Sequence, residues 1–295
     1  MICGPTAAGK SAIAATLALE YGATIISADS RQIYRGFDIG TAKPGWNERK
    51  AIRHEGIDVA EPAERYSASR WASMAMAAIR EGDQEAAPLV VGGTGFYIRA
   101  LFDPLFEAPE IDADRRKRLE WFLNPMSLPE LRRWCTAIDP LRAHLGRHQL
   151  VRSIETALLT GTRITELHAS RGRTTTVAPV YLLIDPAGSL PKRIERRVDE
   201  MIDSGWVDEV RALDARVAED APAWKASGYR VMRSVARGEM DLSAARERII
   251  IETRQYAKRQ RTWFRHQLGD APVTRLDPDD PDAGAIAQRW WKETS

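Results

Sequence analysis

The chain has 295 residues, 44% of them hydrophobic, enough for a full core in one large domain or two modest ones. Its 43 Lys and Arg against 41 Asp and Glu leave a net charge of +2, so any case for a polyanionic partner must be local. Cys3 and Cys135 are the only cysteines, which excludes a disulfide scaffold and a cysteine-rich zinc site. The five histidines show no HExxH spacing, and no apolar run approaches the roughly 20 residues that span a bilayer. A cytoplasmic protein with no membrane contact is expected.

Ile2-Cys3 reads as a strand running into "GPTAAGKS", a Gly-x4-Gly-Lys-Ser pattern. Gly4, Pro5, Thr6, Ala7, Ala8, Gly9, Lys10 and Ser11 form the expected phosphate cradle. Successive backbone N–H groups face one concavity, the following helix N-terminus adds positive potential, Lys10 neutralises phosphate, and Ser11 offers a ligand to Mg²⁺, the one cofactor expected. The phosphate need not be ATP. The customary apolar strand ending in a Mg²⁺-holding Asp is missing, because "LVVGGTG" (Leu89–Gly95) ends in glycines.

Helical Ser11–Tyr21, strand Ala23–Ser27, helical Ser67–Glu81 and strand Pro88–Val91 follow, the βαβ alternation of a parallel sheet covered by helices. Asp29, just past the second strand, lies where open parallel sheets place ligands and is expected to face the cradle. Between about 110 and 173 charged helical segments take over, broken at Asn124-Pro125, Leu128-Pro129, Asp139-Pro140 and Gly161. The reading is an inserted all-helical subdomain at 110–173 within an α/β core of 1–109 and 174–295.

"VYLLID" (Val180–Asp185) returns to the core as a buried strand. Lys192–Arg211 reads as one helix with Ile194, Val198, Met201 and Ile202 on one face. If Arg246–Arg265 is helical, Arg254, Lys258, Arg261 and Arg265 share a basic face opposite Ile249, Thr253, Tyr256, Gln260 and Trp263, and that window holds seven Lys and Arg against two Glu. Gly269–Gly284 reads as a solvated loop before a short amphipathic segment ending in Trp290-Trp291.

"DSRQIYRGFDIGTAKP" (Asp29–Pro44), together with "GPTAAGKS" and "VVGGTGFYIRAL" (Val90–Leu101), resembles the tRNA dimethylallyltransferases, also called tRNA isopentenyltransferases, of bacterial type. The likeness continues in His148–Gly161, Arg193–Val210, Lys225–Arg230 and Thr253–Arg265 and so covers nearly the whole chain. It implies a P-loop NTPase-like parallel sheet and transfer of a dimethylallyl group from dimethylallyl diphosphate to N6 of the adenine 3′ of the anticodon, in tRNAs that read codons beginning with U. The cradle would then hold a departing diphosphate.

By the same resemblance Asp29 matches the general base, Thr6 lies near the reacting end of the diphosphate, and Lys10 and an arginine grip its oxygens. Arg197 is the first candidate for that arginine, with Arg193 and Arg230 in matching blocks. Asp29, Ser30, Arg31, Gln32, Thr94, His148, Gln149, Leu150, Val151 and Arg152 match segments that touch the flipped adenine and its neighbours. Arg116, in the cluster Arg115–Arg118, would join them in gripping the anticodon stem-loop, so that core and insertion clamp the RNA, with the protein a monomer. From the residues alone two other classes stay open: a P-loop kinase for a small acceptor, and a non-catalytic RNA-binding module.

Overall fold

The computed structural model describes residues 1–81, 87–102, 112–169 and 178–294. The chain divides into two compact units, Met1–Phe102 with Thr175–Ser295, and Asp103–Thr174.

In the larger unit β1 (Ile2–Cys3) leads through the glycine loop into α1 (Lys10–Tyr21), followed by β2 (Thr24–Ala28), α2 (Trp46–Ala51), β3 (His54–Glu55), α3 (Ala68–Glu81), β4 (Pro88–Gly92) and α4 (Gly95–Phe102). The smaller unit contributes α5 (Ala113–Leu123), α6 (Leu128–Ile138), α7 (Arg147–Thr160) and α8 (Ile164–Ala169). The larger unit then resumes with β5 (Tyr181–Ile184), α9 (Leu190–Asp203), α10 (Trp206–Asp214), α11 (Tyr229–Ala236), α12 (Leu242–Gln267), β6 (Val273–Leu276) and α13 (Ala283–Thr294).

The six strands form one sheet in the order β3-β2-β4-β1-β5-β6, every pairing parallel. Such a sheet is buried on both faces, and β2, β4 and β5 accordingly read as near-continuous apolar runs. Ile2, Leu17, Leu89, Leu182 and Leu276 pack with Trp290 and Trp291 of α13 into one core. The smaller unit has its own core of Leu123, Leu131, Cys135, Leu150 and Ile154.

Register determines where the site forms. Cys3 and Ala28 both align with Gly92, so β1, β2 and β4 end level and the loops beginning at Gly4, Asp29 and Gly93 emerge side by side. The close approach demands glycine. A Cβ at Gly4 (φ +147°) would lie 2.2 Å from the Ile184 carbonyl oxygen, and one at Gly92 2.2 Å from that of Ala28. Gly4→Ala is therefore expected to cost on the order of 3 kcal/mol or more, read as a lowered urea midpoint.

Two elements depart from the sequence reading. The helix expected over Lys192–Arg211 is two helices, because Gly205 adopts φ +90° and re-aims the chain into α10. The Asp- and Pro-rich stretch from Gly269 contains a strand, β6, paired with β5 from Val273 to Leu276. That strand, Val-Thr-Arg-Leu, buries only Leu276 at the sheet edge, so its apolar signal is weak.

Both thiols are buried. Burial pushes Cys3 up to about 12 and raises Cys135 as well. Thiolate is the reactive form, so the native protein is expected to release no colour from Ellman's reagent at pH 8, and two equivalents once denatured.

Candidate active site

The loop after β1 closes on itself before it meets any ligand. The Ala8 N–H bonds the Pro5 carbonyl at 3.3 Å, and the Thr6 N–H donates at 2.8 Å to Oε1 of Gln260 on α12. These two amides are therefore not part of an anion cradle, a correction to the reading that all of Gly4–Lys10 serve it. What faces outward is the start of α1: Gly9 in the left-handed region (φ +94°), then the N–H groups of the first helical turn, which have no intrahelical partner. Lys10 Nζ folds over the loop onto the Pro5 carbonyl at 2.7 Å.

A cavity of about 140 Å³ opens above this turn, lined by Thr6, Lys10, Ser11, Asp29, Arg197 and Gln260 among others. A second of about 70 Å³ adjoins it, with Ile194, Val198, Met201, Trp206 and Ile249 making one wall apolar. Four residues line both: Thr6, Asp29, Arg197 and Tyr256. One compartment is cationic and rich in donors, the other fits a small hydrocarbon, and a carboxylate stands where they meet.

Electrostatics tie these groups together. Burial brings Lys10 down to about 8, with Arg197 pressing the same way and Asp29 opposing. Arg197 is lowered by burial and likewise supported by Asp29, while burial and then Asp29 push the Tyr256 phenol up to about 12. Two half-buried cations facing one carboxylate leave an excess of positive potential for an anion. Asp29 itself is held by an Asx turn, Oδ1 accepting the Arg31 N–H at 2.8 Å, and the Ser30 N–H is fixed by Thr94 Oγ1 at 3.1 Å. Among the described residues Oδ2 has no partner.

The donor set suits Mg²⁺ carried by phosphate. Ser11 supplies a hydroxyl at the mouth of the cavity, and the described residues hold no cluster of three His, Cys, Asp or Glu that could cage an ion unaided. Mg²⁺ commonly takes one or two protein oxygens and completes its shell with water and substrate phosphate.

Residues 32–267 match the family model described as IPP transferase. The chain belongs to that family. It is 41% identical over 275 residues to a tRNA dimethylallyltransferase of Anaeromyxobacter sp. (strain Fw109-5), covering 91% of this chain and 92% of the relative. It is 39% identical to that of Chromohalobacter salexigens, covering 96% and 93%. Among solved structures, the full-length tRNA isopentenylpyrophosphate transferase of Bacillus halodurans aligns with TM-score 0.65 at 30% identity, covering 99% and 97% of the two chains. A eukaryotic dimethylallyltransferase acting on tRNA aligns with TM-score 0.80 at 25% identity, covering 98% of this chain and 76% of that one. The P-loop NTPase-like α/β fold expected from the sequence is the fold of this IPP transferase family member.

The structure distributes the other expected site residues unevenly. Arg193 lies beside the loop, its Nη1 3.5 Å from where a Gly9 Cβ would stand, and pairs with Asp279. Arg230 does not reach the loop: it lines a separate groove of about 580 Å³ with Arg31, Lys225, Arg248, Gln255 and Arg259. Gln32 is fully engaged, accepting from Ser27 and donating to the carbonyls of Thr41 and Ala42 at 3.2 and 3.0 Å. It tethers a loop and is not a free reader of a base edge.

The basic face of α12 is partly neutralised, because Arg254 pairs with Glu195 of α9 and Arg261 with Asp185 after β5. Lys258 and Arg265 remain exposed. By contrast Arg31, Lys225, Arg230 and Arg259 form no ion pair among the described residues, Arg259 lying over the Tyr256 ring at 5.8 Å. Spacing along α12 points to the stripe and not to this groove, which gathers cations from three separate segments.

In the smaller unit, Leu150 is 0% exposed and belongs to the core, which removes it from the expected RNA contacts. His148 and Gln149 are exposed at the start of α7. Gln149 Oε1 accepts the Gly146 N–H at 3.3 Å, and Val151 is half-buried against the core. Arg116 bonds Glu120 at 3.1 Å and Glu155 at 3.2 Å, and Arg152 Nη1 lies 4.0 Å from Glu155, so both serve the unit's interior.

Proposed function

We propose that this enzyme transfers a dimethylallyl group from dimethylallyl diphosphate to N6 of the adenine 3′ of the anticodon, in the cytoplasm, on tRNAs that read codons beginning with U. One observation carries the reading: a cationic cavity and an apolar cavity meet at Thr6, Asp29 and Arg197. A prenyl diphosphate has that same division, an anion joined to a short hydrocarbon through the bond that breaks. A kinase would need a second anionic or nucleoside compartment in place of the apolar one.

In this reaction the adenine nitrogen attacks the allylic carbon, the bond from that carbon to the diphosphate oxygen breaks, and a proton leaves the nitrogen. The exocyclic amine is a poor nucleophile because its lone pair is delocalised, and its proton becomes acidic only as the new bond forms. Asp29 Oδ2 accepts that proton at the junction. Lys10, Arg197 and the first-turn amides of α1 stabilise the charge growing on the diphosphate, the amides being already aimed by the helix start. Ser11 would help hold Mg²⁺, which when bound would neutralise further charge on the leaving group.

The basic groove of Arg31, Lys225, Arg230 and Arg259 is the proposed track for the RNA backbone near the junction. Tyr256 lines the groove and both cavities, so the adenine enters past its ring. Leaving its stack costs the adenine a few kcal/mol, which the backbone contacts offset. The experiment is direct: protein, Mg²⁺ and unmodified tRNA are incubated with dimethylallyl diphosphate or with ATP, and the tRNA is digested and weighed by mass spectrometry. A five-carbon gain on one adenosine with the first donor alone is expected; phosphate transfer from ATP, or no gain with either, would refute the proposal.

A further inference from the structure

Gln260 is 7% exposed, sits in the C-terminal third of α12, and uses both ends of its amide. Oε1 accepts the Thr6 N–H at 2.8 Å, and Nε2 donates to the Gly93 carbonyl at 2.8 Å. Thr6 belongs to the loop after β1 and Gly93 to the turn after β4, so one side chain clips two site loops to a helix that follows them by more than 160 residues. The fit leaves no slack. A Cβ at Gly93 would stand 2.5 Å from Nε2, and one at Gly95 would strike the Trp263 ring, one turn further along α12, at 2.3 Å.

We infer that Gln260 is a positioning residue for the reaction. By taking the Thr6 amide out of the anion cradle it fixes how Thr6 is presented at the junction of the cationic and apolar cavities, where the bond to diphosphate breaks. A glutamine suits the task because it offers an acceptor and a donor from one planar group. A buried amide left half-satisfied would loosen both loops together, and displacement of reacting groups by about 1 Å can cost ~100-fold in rate. The inference rests on the transfer reading, and its test separates the two.

Q260M keeps the volume and removes both hydrogen bonds; Q260E keeps the acceptor for Thr6. Three quantities are measured: kcat and KM for each substrate, the Kd of inorganic pyrophosphate with Mg²⁺ by calorimetry, and the Kd of an unmodified anticodon stem-loop. For Q260M a fall in kcat of about 10- to 100-fold is expected, with weaker pyrophosphate binding and stem-loop affinity within about twofold, and Q260E is expected to lie between it and wild type. Unchanged kcat and pyrophosphate affinity in Q260M would overturn the inference. So would parallel loss of pyrophosphate and stem-loop binding in both variants, the signature of a general structural role. If wild type transfers nothing to RNA, the transfer reading fails, while the pyrophosphate arm still judges the clip.

Discussion

Asp29→Asn is expected to lower kcat by about 10²- to 10⁴-fold while leaving the fold and the affinity for an unmodified anticodon stem-loop in place. Asparagine retains an Oδ1 that can accept the Arg31 N–H, so the Asx turn that holds position 29 survives. It cannot take up a proton at the second atom, the one proposed to accept it from the adenine nitrogen. Diphosphate affinity should hold or tighten, because Asp29 is the carboxylate that offsets the positive potential of Lys10 and Arg197. Turnover kinetics, a stem-loop binding titration and pyrophosphate calorimetry read the three in turn. Turnover within about threefold of wild type would remove Asp29 as the base.

The second large effect belongs to the groove. Arg31→Ala with Arg230→Ala removes two cations that have no ion pair among the described residues and line one channel. Each phosphate contact contributes roughly 0.7 to 0.9 to the slope of log affinity against log salt. The pair is therefore expected to flatten the slope by about 1.4 to 1.8. Arg254→Ala with Lys258→Ala should flatten it by about half as much, since Arg254 already pairs with Glu195 and of the two only Lys258 is free among the described residues to meet a phosphate. Binding titrations of the stem-loop from low to moderate salt distinguish the groove from the basic stripe of α12. Equal slopes for both double variants would show that the groove is not the track.

What the sequence disclosed and what it hid follow from the range of the interactions involved. The phosphate loop was legible because glycine pattern, lysine and helix start are contiguous, and Gly4 is explained by a clash any Cβ would make. Asp29 was legible because the end of a parallel strand is a place, and the register of β1, β2 and β4 brings that place to the loop. Gln260 was assigned to a packing face by its spacing, which says nothing about the Thr6 and Gly93 groups it bonds.

The basic stripe shows the same limit from the other side. Helical periodicity correctly put Arg254, Lys258, Arg261 and Arg265 on one face, but Glu195 and Asp185, which neutralise two of them, come from 59 and 76 residues away. Gln32 and Leu150 looked available for RNA in one dimension, yet the first is tied to Thr41 and Ala42 and the second fills a core. β6 escaped because a four-residue edge strand with one buried residue resembles a polar loop. The apolar cavity that carries the functional reading draws on α9, α10 and α12 together, and no local window contains it.

A crystal structure with Mg²⁺, an unmodified anticodon stem-loop and the non-reactive thio-analogue of dimethylallyl diphosphate addresses the central claim most directly. The account predicts diphosphate on the first turn of α1 against Lys10 and Arg197. The five-carbon tail should lie between Val198, Met201 and Trp206, with an unstacked adenine presenting N6 to Asp29. Diphosphate bound in the groove of Arg31 and Arg230, or a tail pointing away from the apolar cavity, would contradict it.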